Sequence, residues 1–167
     1  AGMHLRRNTR LNCYNSVVAG WPIGLILDSE KGNTQKAATD GLLQLHRIVF
    51  AGTDLTGSDF NKVYKDELYD YKTKTTDPSK KSFSSMFFLL PANGNKVVDQ
   101  WVARSWQGSQ SIIAASTAVG GALQGSFAEL QSNNWFDKSA TFVGAFRDAS
   151  DDWTAGWANF DPENTIY

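Results

Sequence analysis

Carboxylates near the ends of predicted strands and loops are the residues of this chain best suited to acid–base chemistry. They are Asp28, Asp40, Asp54 and Asp59. A retaining glycosidase holds two carboxyl groups about 5 Å apart, and an inverting one about 6.5–9.5 Å apart. No motif fixes the spacing of these aspartates, so the pattern does not establish a catalytic pair. A polysaccharide lyase or hydrolase is one alternative, and it requires two carboxylates, or a carboxylate with a Lys or Arg, in one cleft.

The histidines and the cysteine give little support for catalysis. His4 and His46 are the only histidines, and neither lies in a nucleophile elbow or at a spacing typical of a Ser-His-Asp triad. His46 corresponds to Tyr14 in an internal repeat, and since Tyr14 is predicted to point outward, His46 is predicted to lie on the surface. Cys13 lies in an apolar strand pattern and has no second thiol, so it is predicted to be buried and inert.

Acidic residues near the C-terminus carry the oxygen ligands that Ca²⁺ prefers. They are Asp148, Asp151 and Asp152, with Asp161 further along the chain. Their spacing does not match an EF-hand loop, so a solvated acidic loop or a helix cap is the preferred interpretation. A structural calcium ion is the alternative, and no other cofactor is predicted.

Flat aromatic side chains indicate another kind of site. Trp21, Trp101 and Trp106 have ring faces that could stack on pyranose sugars, as expected of a glycan-binding module. The same side chains could equally fill a core, and the sequence does not separate the two interpretations.

The composition is that of a globular domain with an unremarkable charge balance. The 167 residues carry a formal net charge of −1, and 41% of them are hydrophobic. No basic run is longer than two residues, whereas binding to nucleic acid needs a concentrated cationic face. No apolar run approaches the ~20 residues that cross a bilayer. Nucleic acid is therefore not a predicted partner, and the chain has no predicted membrane span.

A repeated short stretch organises the N-terminal part of the chain. Leu11–Gly20 returns 32 residues later as Leu43–Gly52, with Leu first, apolar residues at the third, seventh and eighth positions, and Ala-Gly last. The repeat predicts a chain coiled in rungs, each stacking its strand on the one before. The chain also opens with Ala-Gly followed by a strand pattern, so earlier rungs are expected in a preceding part of a longer protein.

The periodicity of apolar residues predicts short strands. They are expected at Met3–Arg7, Leu11–Val18, Ile23–Leu27, Gly41–Val49 and Ser82–Leu90. Leu11 and Cys13 are predicted to point inward, and Asn12 and Tyr14 outward. The near-continuous apolar run of the third strand suits a strand covered on both faces. Residues 28–40 are predicted to form a loop inserted outward.

Charged and small residues dominate the region that follows. Residues 53–81 are predicted to be an insertion or linker, with an amphipathic helix over Ser58–Tyr71. Val97–Trp106 fits a helix or a strand equally well. Ser111–Ala118 is followed by the break Gly120-Gly121, and Ala122–Leu130 is predicted to hold one or two helical turns.

The last segment is rich in aromatic residues and is predicted to cap the coil. They are Phe142, Phe146, Trp153, Trp157 and Phe160. An open end of stacked strands exposes unpaired edges and apolar interior, which such a segment would cover. Trp153 and Trp157 are spaced as on one helical face, so the cap is predicted to be partly helical and to end at Asp161-Pro162.

The same tail carries a family resemblance. Gly144-Ala145-Phe146, then Trp153-Thr154-Ala155-Gly156-Trp157 and Phe160-Asp161-Pro162-Glu163-Asn164, resembles the ending of secreted or surface-anchored right-handed parallel β-helix proteins of Bacteroidota. Segments 5–8, 15–20, 24–28 and 38–41 look like the last rungs of that family. The resemblance implies a β-helix fold, export, and residence at the outer surface through an N-terminal lipid anchor outside this chain. It implies little chemistry.

These features together predict a mainly β fold that forms the C-terminal rungs of a right-handed parallel β-helix. The expected layout is rungs at 1–52, the charged insertion at 53–81, and the final strands with the aromatic cap at 82–167. The favoured function is a non-catalytic subunit, structural or accessory, on the outer membrane or outside a Gram-negative cell. Its expected partner is another envelope protein, and the alternatives are the glycan-binding module and the polysaccharide-cleaving enzyme.

Overall fold

Short strands in small parallel sheets, with a few short helices, make up the fold. The structure is a computed structural model, and it describes residues 1–21, 23–52, 55–61, 63–65, 69–70, 75–76, 82–98 and 109–165. No helix in these ranges is long and apolar enough to cross a membrane.

Three sheets are built from strands that pair in parallel. The first joins β1 (Met3–Arg6), β4 (Ile23–Asp28) and β7 (Leu55–Asn61), with β8 (Val63–Lys65) antiparallel at its edge. The second joins β2 (Asn12–Tyr14) and β5 (Gln44–His46). The third joins β3 (Val17–Ala19), β6 (Val49–Ala51) and β11 (Lys96–Val98). The chain thus visits the same three sheets in the same order twice, from β1 to β3 and from β4 to β6.

The remaining elements are short. An antiparallel pair is formed by β9 (Tyr69–Asp70) and β10 (Thr75–Thr76). The helices are α1 (Thr34–Thr39), α2 (Phe83–Phe88) and α3 (Ser109–Gly120), and single 3-10 turns lie at Pro91–Asn93, Ala128–Leu130 and Pro162–Asn164.

The pairing register confirms the internal repeat. Asn12 pairs with Gln44, and Val17 pairs with Val49, so the two copies stack residue on residue at the predicted offset. The strands at Met3–Arg6 and Ile23–Asp28 are confirmed too, and all six residues of β4 are buried, as its apolar run predicts.

A left-handed corner divides each copy of the repeat. Asn15 has φ 49° in the first copy and Arg47 has φ 54° in the second, and Gly94, which follows the two copies, has φ 61°. The Asn15 amide donates to the His46 carbonyl at 3.0 Å, and the Arg47 amide donates to the Asn93 carbonyl at 2.9 Å, so the corners stack. The single strands predicted at 11–18 and 41–49 are therefore wrong, because a residue with positive φ cannot continue a strand.

The core lies between the sheets and two short helices. Its fully buried side chains include Leu25, Leu27, Leu45, Phe50 and Phe88. The rings of Phe50 and Phe88 stack with centroids 4.2 Å apart. Cys13 points inward as predicted and packs against this core, but it is only partly buried rather than fully buried. Leu11 is 37% exposed, so its predicted inward position is wrong.

Two segments expected to be loop or strand are helices that help to close this core. Residues 28–40 contain α1, whose Ala37 and Ala38 are buried, so the segment is not an outward loop. Residues 82–90 contain α2 instead of a strand, because the Ser82 side chain accepts a hydrogen bond from the Ser85 amide at 3.0 Å and caps the helix. Both helices pack on β4, and α2 also packs on β7.

Three helix predictions further along the chain are corrected as well. The region 58–71 holds strands β7, β8 and β9 in its described part, since β7 finds a partner in β4. Residues 122–130 contain only the 3-10 turn at Ala128–Leu130. Trp153 and Trp157 lie in a turn, not an α-helix. The break after α3 is confirmed, because the helix ends at Gly120. Glycine is also required there for packing, since a Cβ at Gly120 would collide with the Val143 carbonyl.

Candidate functional site

The predicted carboxylates lie on different elements of the fold. Asp28 is 2% exposed, Asp40 caps the end of α1 and pairs with Lys36 at 2.5 Å, and Asp59 lies in β7. Asp54 lies outside the described residues. Asp28 and Asp40, whose side chains are described, are each engaged by basic side chains.

Asp28 has its oxygen atoms engaged by protein donors. His4 Nε2 lies 3.2 Å and Arg6 Nε 3.4 Å from Oδ2, and the Glu30 amide donates to Oδ1 at 2.7 Å. Since Arg6 and Asp28 are register partners in β1 and β4, these contacts join neighbouring strands. The buried carboxylate is thus surrounded by protein groups, which leaves little room for a substrate.

An ion pair fastens the C-terminal part of the chain to the repeat. Arg47 Nη1 and Nη2 donate to the two carboxylate oxygens of Glu129 at 2.7 and 2.8 Å, and Arg47 Nε donates to Asn15 Oδ1 at 2.8 Å. The Ser126 amide donates to the same Asn15 oxygen at 3.1 Å. From the left-handed corner, the Arg47 side chain thus contacts Glu129, which lies 82 residues later in the chain.

Aromatic rings extend this attachment. Tyr14 stacks on His46 with centroids 5.5 Å apart, and its ring meets Phe127 at 6.3 Å and Phe136 at 6.1 Å. Residues 126–136, the covering segment, therefore lie over β2 and β5. Tyr14 points away from the main core but is buried, and the predicted surface position of His46 is wrong, since its side chain is only 15% exposed.

The protonation states of the side chains in this cluster are consistent with a partly buried contact between the covering segment and the repeat. The pKa of Glu129 is lowered, mainly by the hydrogen bond from Arg47. Burial lowers the pKa of His46, although the negative charge of Glu129 acts in the opposite direction. Burial raises the pKa of Tyr14. At neutral pH the cluster thus contains a carboxylate, a guanidinium and a neutral imidazole. His46 Nδ1, 3.7 Å from Glu129 Oε1, is buried with no hydrogen-bond partner in the described structure.

The tail also presents tryptophans to solvent. Trp153 is 52% and Trp157 is 70% exposed, and their ring centroids lie 5.6 Å apart. Trp153 packs on buried Phe146 at 5.8 Å. The indole N–H of Trp153 donates to the Ala145 carbonyl at 2.8 Å, and that of Trp157 donates to the Trp153 carbonyl at 2.9 Å. Both rings are held in place, with their apolar surfaces outward. We call this pair the tryptophan surface.

The other predicted site residues have varied positions. Phe142 and Phe160 are partly buried, which leaves the predicted cap a mixture of buried and exposed rings. Trp21 is half exposed, and Trp101 and Trp106 lie outside the described residues.

The acidic tail residues serve local turns. Asp148 accepts hydrogen bonds from Ser150, Asp151 from the Arg147 amide, and Asp152 from Thr154. Within the described ranges, no three His, Cys, Asp or Glu side chains are grouped so that they could hold a metal ion. Calcium at this place stays a prediction.

The features of the candidate site that sequence reasoning missed are Arg47, Glu129 and the covering segment. The ion pair joins distant residues, and no local pattern marks it. No protein-family model matches this chain, and neither a curated protein nor a solved structure is significantly similar to it.

Proposed function

We propose that this chain forms the closing rungs of a right-handed parallel β-helix and acts as a non-catalytic cell-envelope protein. It serves as a structural or accessory subunit on the outer membrane, and it contacts another envelope protein through the tryptophan surface. The parallel pairing of β1 with β4 and β7, and of β3 with β6 and β11, supports the architecture. The observation that carries the function is the exposure of Trp153 and Trp157 side by side.

Exposed neighbouring tryptophans are well suited to an interface. A tryptophan near the centre of an interface often contributes 2 kcal/mol or more on truncation, which is about a 30-fold change in affinity. Water is displaced from their apolar faces on binding, and the same faces are a liability if nothing covers them. Two such side chains on one surface therefore favour a protein partner.

The tryptophan surface is also preorganised. Each indole N–H is bonded to a backbone carbonyl, and Phe146 supports Trp153 from below. Fixed side chains lose little conformational entropy when a partner binds. The attachment of the covering segment through Arg47 and Glu129 holds an earlier part of the same tail on β2 and β5.

Co-purification of the intact protein from chemically cross-linked envelope membranes tests this function. The double variant Trp153→Ala/Trp157→Ala should lose at least tenfold of any partner recovered with the unmodified protein. Trp21→Ala is the matched control, because Trp21 is also half exposed but lies between β3 and β4. It should retain the partner.

Thermal unfolding of each variant separates lost binding from lost folding. The proposal fails if the unmodified protein is recovered as a soluble, solitary species. It also fails if the double variant, with an unchanged unfolding midpoint, keeps its partner.

A further inference from the structure

Two adjoining cavities lie between the C-terminal end of α3 and the tail. Their volumes are about 430 and 290 Å³, and Gln124 and Thr141 line both of them. Volumes of this order are at the lower end of ligand pockets. Because the cavities share two lining residues, we treat them as one surface, which we call the tail groove.

The charge of the tail groove differs from that of the chain. The protein has 17 acidic and 16 basic residues. Among the described residues that line the groove, however, the only charged side chains are Lys138 in one cavity and Arg147 in the other. Asp137 and Asp148 are acidic residues that interact electrostatically with Arg147. They accept hydrogen bonds from neighbouring serines and do not line the tail groove.

Neutral polar groups lie between these two cations. Gln124 and Thr141 have no side-chain hydrogen bond within the described structure, so an amide and a hydroxyl remain available in the shared part. Lys138 Nζ donates to the Gln131 carbonyl at 2.6 Å, which fixes its position and leaves further N–H groups for a ligand. Arg147 lies over the Phe142 ring, 5.8 Å from its centroid.

The backbone of the groove floor is already paired. The Gly125 amide donates to the Thr141 carbonyl at 3.1 Å, and a Cβ at Gly125 would collide with the Phe142 carbonyl. An extended peptide that binds by strand addition needs free backbone groups. The side chains of the groove instead offer two separate positive charges, together with an amide and a hydroxyl that can form hydrogen bonds with sugar hydroxyls. Half-buried phenylalanine rings lie beside them.

We propose that the tail groove binds an acidic oligosaccharide, with Lys138 and Arg147 pairing with carboxylates and Gln124 and Thr141 bonding to sugar hydroxyls. This site adjoins the tryptophan surface, since Phe146 lines the groove and packs on Trp153, but it takes a different ligand and does not depend on the protein partner. It assigns Lys138 and Gln124 as specificity residues, because they meet different chemical groups of one ligand.

Calorimetric titration of the full chain at low salt tests this site. The probes are tri- or tetragalacturonate, a neutral cello-oligosaccharide of the same length, and a hexaglutamate peptide. Galacturonate should bind at least tenfold more tightly than either of the others. Comparable binding of hexaglutamate would mean that the groove accepts any polyanion, and comparable binding of the neutral sugar would mean that the charges do not matter; either result overturns the proposal, as does no binding.

Single substitutions locate the binding. Lys138→Ala and Gln124→Ala should each weaken galacturonate binding roughly five- to tenfold. Lys36→Ala is the control, since Lys36 is an exposed lysine paired with Asp40 in another part of the fold, and it should bind normally. An equal loss in Lys36→Ala, or a loss in Trp21→Ala with none in Gln124→Ala, would place the ligand elsewhere and refute the groove site. Gln124→Ala keeps the test valid if Lys138→Ala unfolds.

Discussion

Replacing Glu129 with glutamine tests how firmly the covering segment is held on β2 and β5. Glutamine has a similar shape, but it removes the negative charge and one of the two acceptors used by Arg47. Arg47 would keep its bond to Asn15 and lose its bidentate partner. The perturbation is therefore local, because no apolar contact of the core changes.

The burial of this ion pair sets the size of the effect. The Arg47 side chain is 12% exposed and that of Glu129 is 30% exposed. Exposed ion pairs contribute about 0–1 kcal/mol, and hydrogen bonds to charged groups in less exposed places contribute about 1.5–3 kcal/mol. The pair lies between these cases, so Glu129→Gln should lower the free energy of unfolding by about 1–2 kcal/mol.

Urea unfolding and amide hydrogen exchange measure this prediction. The Ser126 and Gly144 amides, which donate to Asn15, should lose protection, whereas those in β4 should change little. Asp40→Asn is the control, because it disrupts an exposed helix pair that contributes about 0.2–0.5 kcal/mol. The reasoning is refuted if Glu129→Gln destabilises no more than Asp40→Asn, or if protection falls equally throughout the chain.

Three other perturbations give expected results. The pKa of Glu129 is lowered from 4.5 in the folded state, so its contribution to stability is present above pH 4.5 and is lost as the pH falls through the folded pKa. The pKa of His46 is lowered from 6.5, so the unfolded state binds a proton more readily and stability falls as the pH drops below about 6.5. The unfolding free energy should therefore decrease from pH 7 to pH 4, with a smaller decrease above pH 5 in His46→Gln. Phe88→Ala should cost about 3–5 kcal/mol in urea unfolding, and Met86→Ala, exposed on the same helix, about 0.5 kcal/mol or less. Gly94→Ala should cost about 1 kcal/mol by the same assay because φ is 61° there, although its Cβ would meet only Arg47 at an ordinary distance.

The strand stacking could be predicted because it depends on a local, repeated pattern. The two copies at Leu11–Gly20 and Leu43–Gly52 carry equivalent apolar residues, and these residues pair in the structure. The corner could not be predicted, because Asn15 tolerates a left-handed conformation readily but Arg47 does so rarely. Only the stacking of one corner on the next makes both residues adopt it.

The short helices illustrate the limit of periodicity. Residues 83–88 are rich in Phe and Ser, and a run of six residues is too short to separate a helical period from a strand one. Ser82 was the available signal, since its side chain caps the helix.

The candidate sites depend on contacts between distant residues. Arg47 meets Glu129 across 82 positions. The sequence identified Trp153 and Trp157 as notable, but their exposure depends on the turn that replaces the predicted helix, and a pattern of residue types does not specify that.

Site-directed photo-cross-linking in intact cells tests the central claim most directly. Ala155→p-benzoylphenylalanine places the reactive group in the turn between Trp153 and Trp157 without removing either ring. The corresponding control is exposed Leu42→p-benzoylphenylalanine, between α1 and β5. The account predicts one discrete protein adduct from position 155, lost in the Trp153→Ala/Trp157→Ala background, and none from position 42. No adduct at 155, or the same adduct from both positions, would contradict it.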